Sequence, residues 1–219
     1  MDWHADMLEP LLDQTWGSGP NPERVVVSNV AGPLIADQVS AWTRKQWAVA
    51  PEFVSVEARA FGVQLGYEDP RQLGADRWLA LIAVWNRYQA PACIADCGTA
   101  VTIDALASQG EHLGGLIVPG LTLMRQMLVR HTHGIRVNAA GQPGMLGRTT
   151  QDGITAGSLY AVAACIDRVA FDLRQRLGDD LMAVITGGDA ENIFPLLTHP
   201  FEQVPDLVLR GLAVVAGAK

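Results

Sequence analysis

Apolar residues recur along the chain at two spacings, and the switches between them outline an alternating α/β protein. Trp3, Met7, Leu8, Leu11 and Leu12 fall at helical spacing over residues 3–15, with Pro10 predicting a kink or break inside that run. RVVVSNV (24–30) is a β-branched run, PLIADQVSAWTRKQW (33–47) opens with Pro as helices do, and EFVSV (52–56) reads as a strand. Residues 57–73, punctuated by Gly62, Gly66 and Pro70, read as loop. From Asp76 to Tyr88, the residues Trp78, Leu81, Ile82, Trp85 and Tyr88 share one helical face, which puts Asp76 and Arg77 at that helix's N-terminal end.

The second half begins with three predicted strands, ACIADC (92–97), AVTIDAL (100–106) and HLGGLIVP (112–119), the first two joined by a tight turn and the next by SQGE. A helix follows from Leu121 to about Arg130. After a Gly-rich loop (137–147), a long helix carries Ile154, Leu159, Val162, Ile166, Val169 and Leu173. The tail reads as strand LMAVIT (181–186), a helix from Asp189, a short strand near FEQV, and a closing helix DLVLRGLAVVA (206–216). Both halves run helix–strand–helix–strand–helix, as a duplication with a shortened first copy would. Alternating α/β chains also produce such matches by chance, so element order alone leaves both explanations open.

Composition narrows the class. Hydrophobic residues make up 49% and charged residues 18%, ordinary globular values. The net charge of −7 lacks the basic footprint of a phosphate-backbone binder, so no nucleic-acid partner is expected. Apolar runs are broken by Gly, Asp or Arg within a dozen residues, and MDWHADMLEP lacks a signal-peptide pattern. No membrane association and a cytoplasmic location are the expectation. Cys93, Cys97 and Cys165 read as reduced core cysteines, since Cys-x3-Cys without a second Cys/His pair does not complete a zinc site.

Three stretches could carry chemistry. In DCGTAVT, Asp96 offers a carboxylate to a cation, Gly98 allows close backbone approach, and Thr99 supplies a hydroxyl for phosphate; a plain hairpin turn suits the same residues. In GADRW, Asp76 offers a base and Arg77 a planar cation for a carboxylate, or else an N-cap and a surface arginine. In ITGGDA, Gly187 and Gly188 let a ring or phosphate lie against the backbone, although an αL turn explains them equally. His131 and His133 could pair on a metal but lack a companion ligand, and Thr149 or Thr150 could cap the long helix and also bond a substrate.

Taken in order, LGADRWLALIA, IADCGTAVTIDA, GGLIVPGLTLM, GRTTQDGITAG and ITGGDA resemble the type III pantothenate kinases, the family that includes the Bvg accessory factors. The resemblance implies an acetate/sugar kinase–Hsp70–actin-like α/β fold of two ribonuclease-H-like halves, here residues 1–90 and 91–219. It also implies a homodimer with pantothenate held near the subunit interface. The implied activity is ATP-dependent phosphorylation of pantothenate, the first step of coenzyme A biosynthesis, using Mg2+ and a monovalent cation, K+ or NH4+. By the same resemblance Asp76 is the catalytic base, and Tyr67, Gly74, Ala75, Asp76, Arg77 and Thr150 bind substrate. Gly98, Thr99, Gly187 and Gly188 bind ATP, and Asp96 holds the monovalent cation. The family's opening strand and Asp-x-Gly-Asn-Thr turn have no counterpart before Asp76. The expectation is therefore a first half shortened at its N-terminus, with exposed sheet edge and impaired turnover, or a Met1 downstream of the true start. Alternatives are a non-catalytic accessory or regulatory homologue, and a kinase of this fold acting on another small acid such as acetate.

Overall fold

The structure, a computed structural model, describes residues 7–132 and 145–217. Helix α1 (Leu8–Trp16) runs through Pro10 without the predicted break, because Pro10 falls in the first turn, where the missing N–H has no intrahelical acceptor to lose. Strand β1 (Val25–Val27), helix α2 (Pro33–Trp47) and strand β2 (Pro51–Phe53) follow, with β1 and β2 paired in parallel. Residues 57–73 are not all loop. Arg59–Ala60 (β3) and Val63–Gln64 (β4) form a miniature antiparallel hairpin, and Pro70–Gln72 makes one 3₁₀ turn. Phe61 and Gly62 both have positive φ, 52° and 80°, as a tight hairpin turn of this hand requires, and phenylalanine at such a position gives no sequence signal.

Helix α3 (Ala75–Tyr88) leads to the strands β5 (Ala92–Cys97), β6 (Ala100–Leu106) and β7 (His112–Pro119), whose bounds are those predicted. Helix α4 (Leu121–His131) and the long α5 (Thr150–Leu177) precede β8 (Met182–Thr186), the short α6 (Ala190–Ile193), β9 (Glu202–Gln203) and α7 (Leu207–Ala216). One five-stranded sheet has the order β7-β6-β5-β8-β9, with β6 antiparallel to its neighbours and β8 parallel to β5 and β9. This is the strand order expected of a ribonuclease-H-like half.

Alternation along β5 and β6 sorts the two faces of this sheet. Cys93, Ala95, Cys97, Val101 and Ile103 pack with Val162 and Ile166 of α5 on one face. Ala92, Ile94 and Leu106 pack with Trp78, Leu81 and Ile82 of α3 and Leu207 of α7 on the other. The same period of two carries Asp96 and Asp104 to the α3 side. Helices α3 and α7 cross so closely that a Cβ on Gly211 would stand 2.6 Å from the Leu79 carbonyl carbon. Helix α5, at 28 residues, is long and apolar enough to cross a membrane by length and composition, which the reading of broken apolar runs missed. Its buried positions, among them Ile154, Leu159, Val162, Ile166 and Ala170, form the stripe by which a core helix covers a sheet.

Cys93 and Cys97 are buried and free, and burial pushes both thiols up to about 12, in keeping with inert core cysteines. Beside β1, a groove of about 620 Å³ is lined by Val25, Val27, Trp42, Trp47, Leu209 and Leu212 among others. Leu209 is 65% exposed there. Within the described residues, β1 pairs only with β2, so one of its edges is free beside this apolar surface.

Candidate active site

The first turn of α3 lies over the carboxyl end of β5, and the predicted residues converge there from separate stretches of sequence. Gly74 precedes the helix in extended conformation and Asp76 follows in its first turn, where a carboxylate is favoured by the helix dipole. Asp76 Oδ1 accepts the backbone N–H of Arg77 at 2.8 Å, which pins the half-buried carboxylate to the helix start. A Cβ at Gly74 would collide with that oxygen, so the glycine clears the space the carboxylate occupies.

Arg77 is neither the surface arginine nor the free clamp that its sequence allows. It is 6% exposed and spends Nε and Nη2 on Asp104, at 2.8 and 2.6 Å, in a bidentate pair. Its Nη1 donates to the Tyr67 hydroxyl at 3.1 Å. Among the described residues three of the five guanidinium N–H groups are thus committed, and about two remain for another partner. Because the Tyr67 hydroxyl accepts from Arg77, its own proton is free to be donated elsewhere.

Asp104 and His112 join Arg77 and Tyr67 in this cluster, and the sequence reading did not single them out. His112 is fully enclosed, stacks on Tyr67 with centroids 5.6 Å apart, and its Nε2 lies 2.9 Å from Asp104 Oδ1. Burial works against charge on Asp104, but hydrogen bonds from His112 and Arg77 outweigh it and hold the carboxyl below its ordinary value. The available signal was an acid at a period-two position inside the apolar strand AVTIDAL.

Asp96 has the opposite balance. Burial, then the neighbouring charges of Asp76 and Asp104, push its carboxyl up to about 6. The structure gives it no ion-pair partner among the described residues, so the pocket holds excess negative charge that a small cation would relieve. No cluster of three or more metal-ligating His, Cys, Asp or Glu side chains occurs among the described residues. Asp96 is therefore not part of an all-protein metal cage of such side chains among the described residues.

The glycine motif after β8 meets the same strand end. Gly187, at φ +96°, lies so close that a Cβ would stand 2.5 Å from the Cys97 nitrogen and 2.6 Å from Asp96 Oδ1, and Asp189 donates its N–H to the Cys97 carbonyl at 2.9 Å. Beyond it, Gly188 faces open space, and Gly98 in the β5–β6 turn is nearly as clear. Bare backbone on both turns thus borders Asp96. Thr99 is exposed, and its carbonyl accepts from Gly120 N–H at 2.9 Å, which docks the start of α4 on the turn.

Thr150 stands apart from this group. Thr149 is the N-cap of α5, its Oγ1 accepting from Asp152 N–H at 3.1 Å, and Thr150 opens onto a groove between α4 and α5 with Met127, Leu128 and Ser158. Ala75 is buried behind Asp76. His131 lines the α4–α5 groove, while His133 lies outside the described residues, as does most of the Gly-rich loop.

A family model for type III pantothenate kinases matches residues 2–172. A type III pantothenate kinase of Nitrosococcus oceani is 46% identical over 215 residues, covering 95% of this chain and 81% of the relative. A second, from Alcanivorax borkumensis, is 40% identical over 199 residues, covering 89% and 79%. Among solved structures, a conserved Campylobacter jejuni protein assigned to the Baf family of transcriptional activators superposes with a TM-score of 0.56 at 16% identity. That likeness spans 99% of this chain and 90% of the other and bears on the fold alone.

Proposed function

The chain belongs to the type III pantothenate kinase family, and from that membership we propose that its α3–β5 site phosphorylates the primary hydroxyl of pantothenate with ATP. The observation that carries this reading is the meeting of Asp76 with Asp96 and the Gly187–Gly188 turn at one strand end. Phosphoryl transfer asks mainly for positioning and charge neutralisation, and this arrangement supplies both from opposite sides. Asp76, half-buried and fixed by the Arg77 amide, takes the proton of the attacking hydroxyl. The two uncommitted N–H groups of Arg77 and the Tyr67 hydroxyl are the polar contacts offered to the vitamin.

On the nucleotide side, the open backbone at Gly98 and Gly188 admits phosphate and adenosine, with Thr99 donating its hydroxyl. Mg2+ bound with the ATP phosphates would neutralise their charge, and Asp96 would hold K+ or NH4+. Two halves, 1–90 and 91–219, divide the work, the first presenting vitamin contacts and the second nucleotide contacts. The working state is a cytoplasmic homodimer, a reading supported by apolar side chains that α4 and α5 leave exposed, Met127 and Leu128 at 42% and Tyr160 at 40%. Thr150, on the rim of that same groove, would meet pantothenate from the dimer side.

The test is ADP formation by the purified chain with ATP, Mg2+ and K+, with and without pantothenate. Pantothenate-dependent ADP supports the reading, and its rate measures how much turnover this length of chain sustains. Equal ADP with acetate in place of pantothenate would move the assignment to another small-acid kinase.

A further inference from the structure

We infer that Asp104 and His112 are positioning residues for pantothenate, acting through Arg77 and Tyr67 rather than by touching the substrate. The inference rests on the proposed activity and assigns a role to residues that the substrate motif itself does not include. An arginine side chain has many rotamers, and holding it in one costs conformational entropy. Asp104 bears that constraint before substrate arrives, since its two oxygens take Nε and Nη2 at 2.8 and 2.6 Å and fix the guanidinium plane.

His112 fixes Asp104 in turn. Its Nε2 shares Oδ1 with Arg77, and its ring stacks on Tyr67 at 25° between planes, so one imidazole orients both contacts offered to the vitamin. The backbone is shaped for this. A bulge between β6 and β7 follows the Ala105–Gly114 pair and places His112 opposite Leu106, on the face that carries Asp104. Gly115 sits directly across from Asp104, where a Cβ would stand 2.6 Å from Arg77 Nη2. A buried acid–arginine–histidine cluster is costly to desolvate, and apolar packing would serve stability as well. The second nitrogen of His112, Nδ1, is buried without a hydrogen-bond partner among the described residues, a further cost that packing alone does not explain.

The test compares wild type with His112→Leu, His112→Asn and Asp104→Asn, measuring KM for pantothenate, KM for ATP, kcat and Tm. The expected result is a tenfold or larger rise in pantothenate KM for His112→Leu, with ATP KM within twofold. His112→Asn, which can still donate to Asp104, should recover most of the loss. Calorimetric titration of pantothenate into each variant gives the same ranking without turnover and keeps the test open if kcat is low. Unchanged pantothenate affinity in a folded His112→Leu, or parallel rises in both KM values, overturns the inference. A wild type that neither binds nor phosphorylates pantothenate overturns the parent reading and this inference together; a wild type that does, with unaltered variants, overturns this inference alone.

Discussion

Asp96 and Asp76 share one electrostatic environment: burial first, and then the charge of Asp76 arriving from the start of α3, push the Asp96 carboxyl up to about 6. One acid is fixed by the Arg77 amide, while the other has no ion-pair partner among the described residues. Each consequence can be measured separately.

Asp76→Asn removes the proposed base but keeps the side-chain oxygen that accepts from Arg77 N–H. The expected outcome is a fall in kcat of about 10²–10⁴-fold with pantothenate KM changed only a few-fold. Steady-state kinetics checks this, with Tm as the control for folding.

The raised Asp96 carboxyl gives a signed pH dependence. Between its ordinary value of 3.8 and its folded value of about 6, the native state holds a proton that the unfolded chain has released. Stability from this group is therefore present at low pH and lost as pH rises through that window, by on the order of 2–3 kcal/mol. Asp96→Asn should remove that segment of the profile and raise Tm at pH 7, read by thermal melts from pH 4 to 8 in buffer free of K+ and NH4+. The same variant should lose stimulation of turnover by K+.

Gly187→Ala forces a side chain into a left-handed backbone position and into Cys97. A stability loss of at least about 1 kcal/mol is expected, together with a higher KM for ATP than for pantothenate relative to wild type. Denaturant unfolding and kinetics together check it.

The strands β5, β6 and β7 were legible to the residue because alternation and turn signals are local, as was α2, with Pro33 marking its start. The β3–β4 hairpin was not, since its turn places Phe61 at positive φ against sequence preference, and Gly62 packs beside Trp85 instead. The motifs around Asp76, Asp96 and Gly187 could be read singly. Their meeting depends on α3 crossing the end of β5. The Arg77–Asp104 pair spans 27 residues, a separation no period reports. His112 reaches Asp104 through a β-bulge, which alternation cannot anticipate.

The apolar faces of α4 and α5 make the proposed homodimer testable. Met127→Glu places a charge in the groove of about 760 Å³ between them, on a helix surface that is exposed in the single chain. Sedimentation velocity should show wild type as a dimer and the variant shifted to monomer, with the monomer's Tm within a few degrees.

Whether Asp76 and Asp96 serve one pantothenate kinase site is decided by pantothenate-dependent ADP release, compared between wild type and Asp76→Asn in K+ buffer. Release above the pantothenate-free blank is expected for wild type, with a return to that blank for the variant. Equal rates for the two proteins, or no response of wild type to pantothenate, would contradict a shared site.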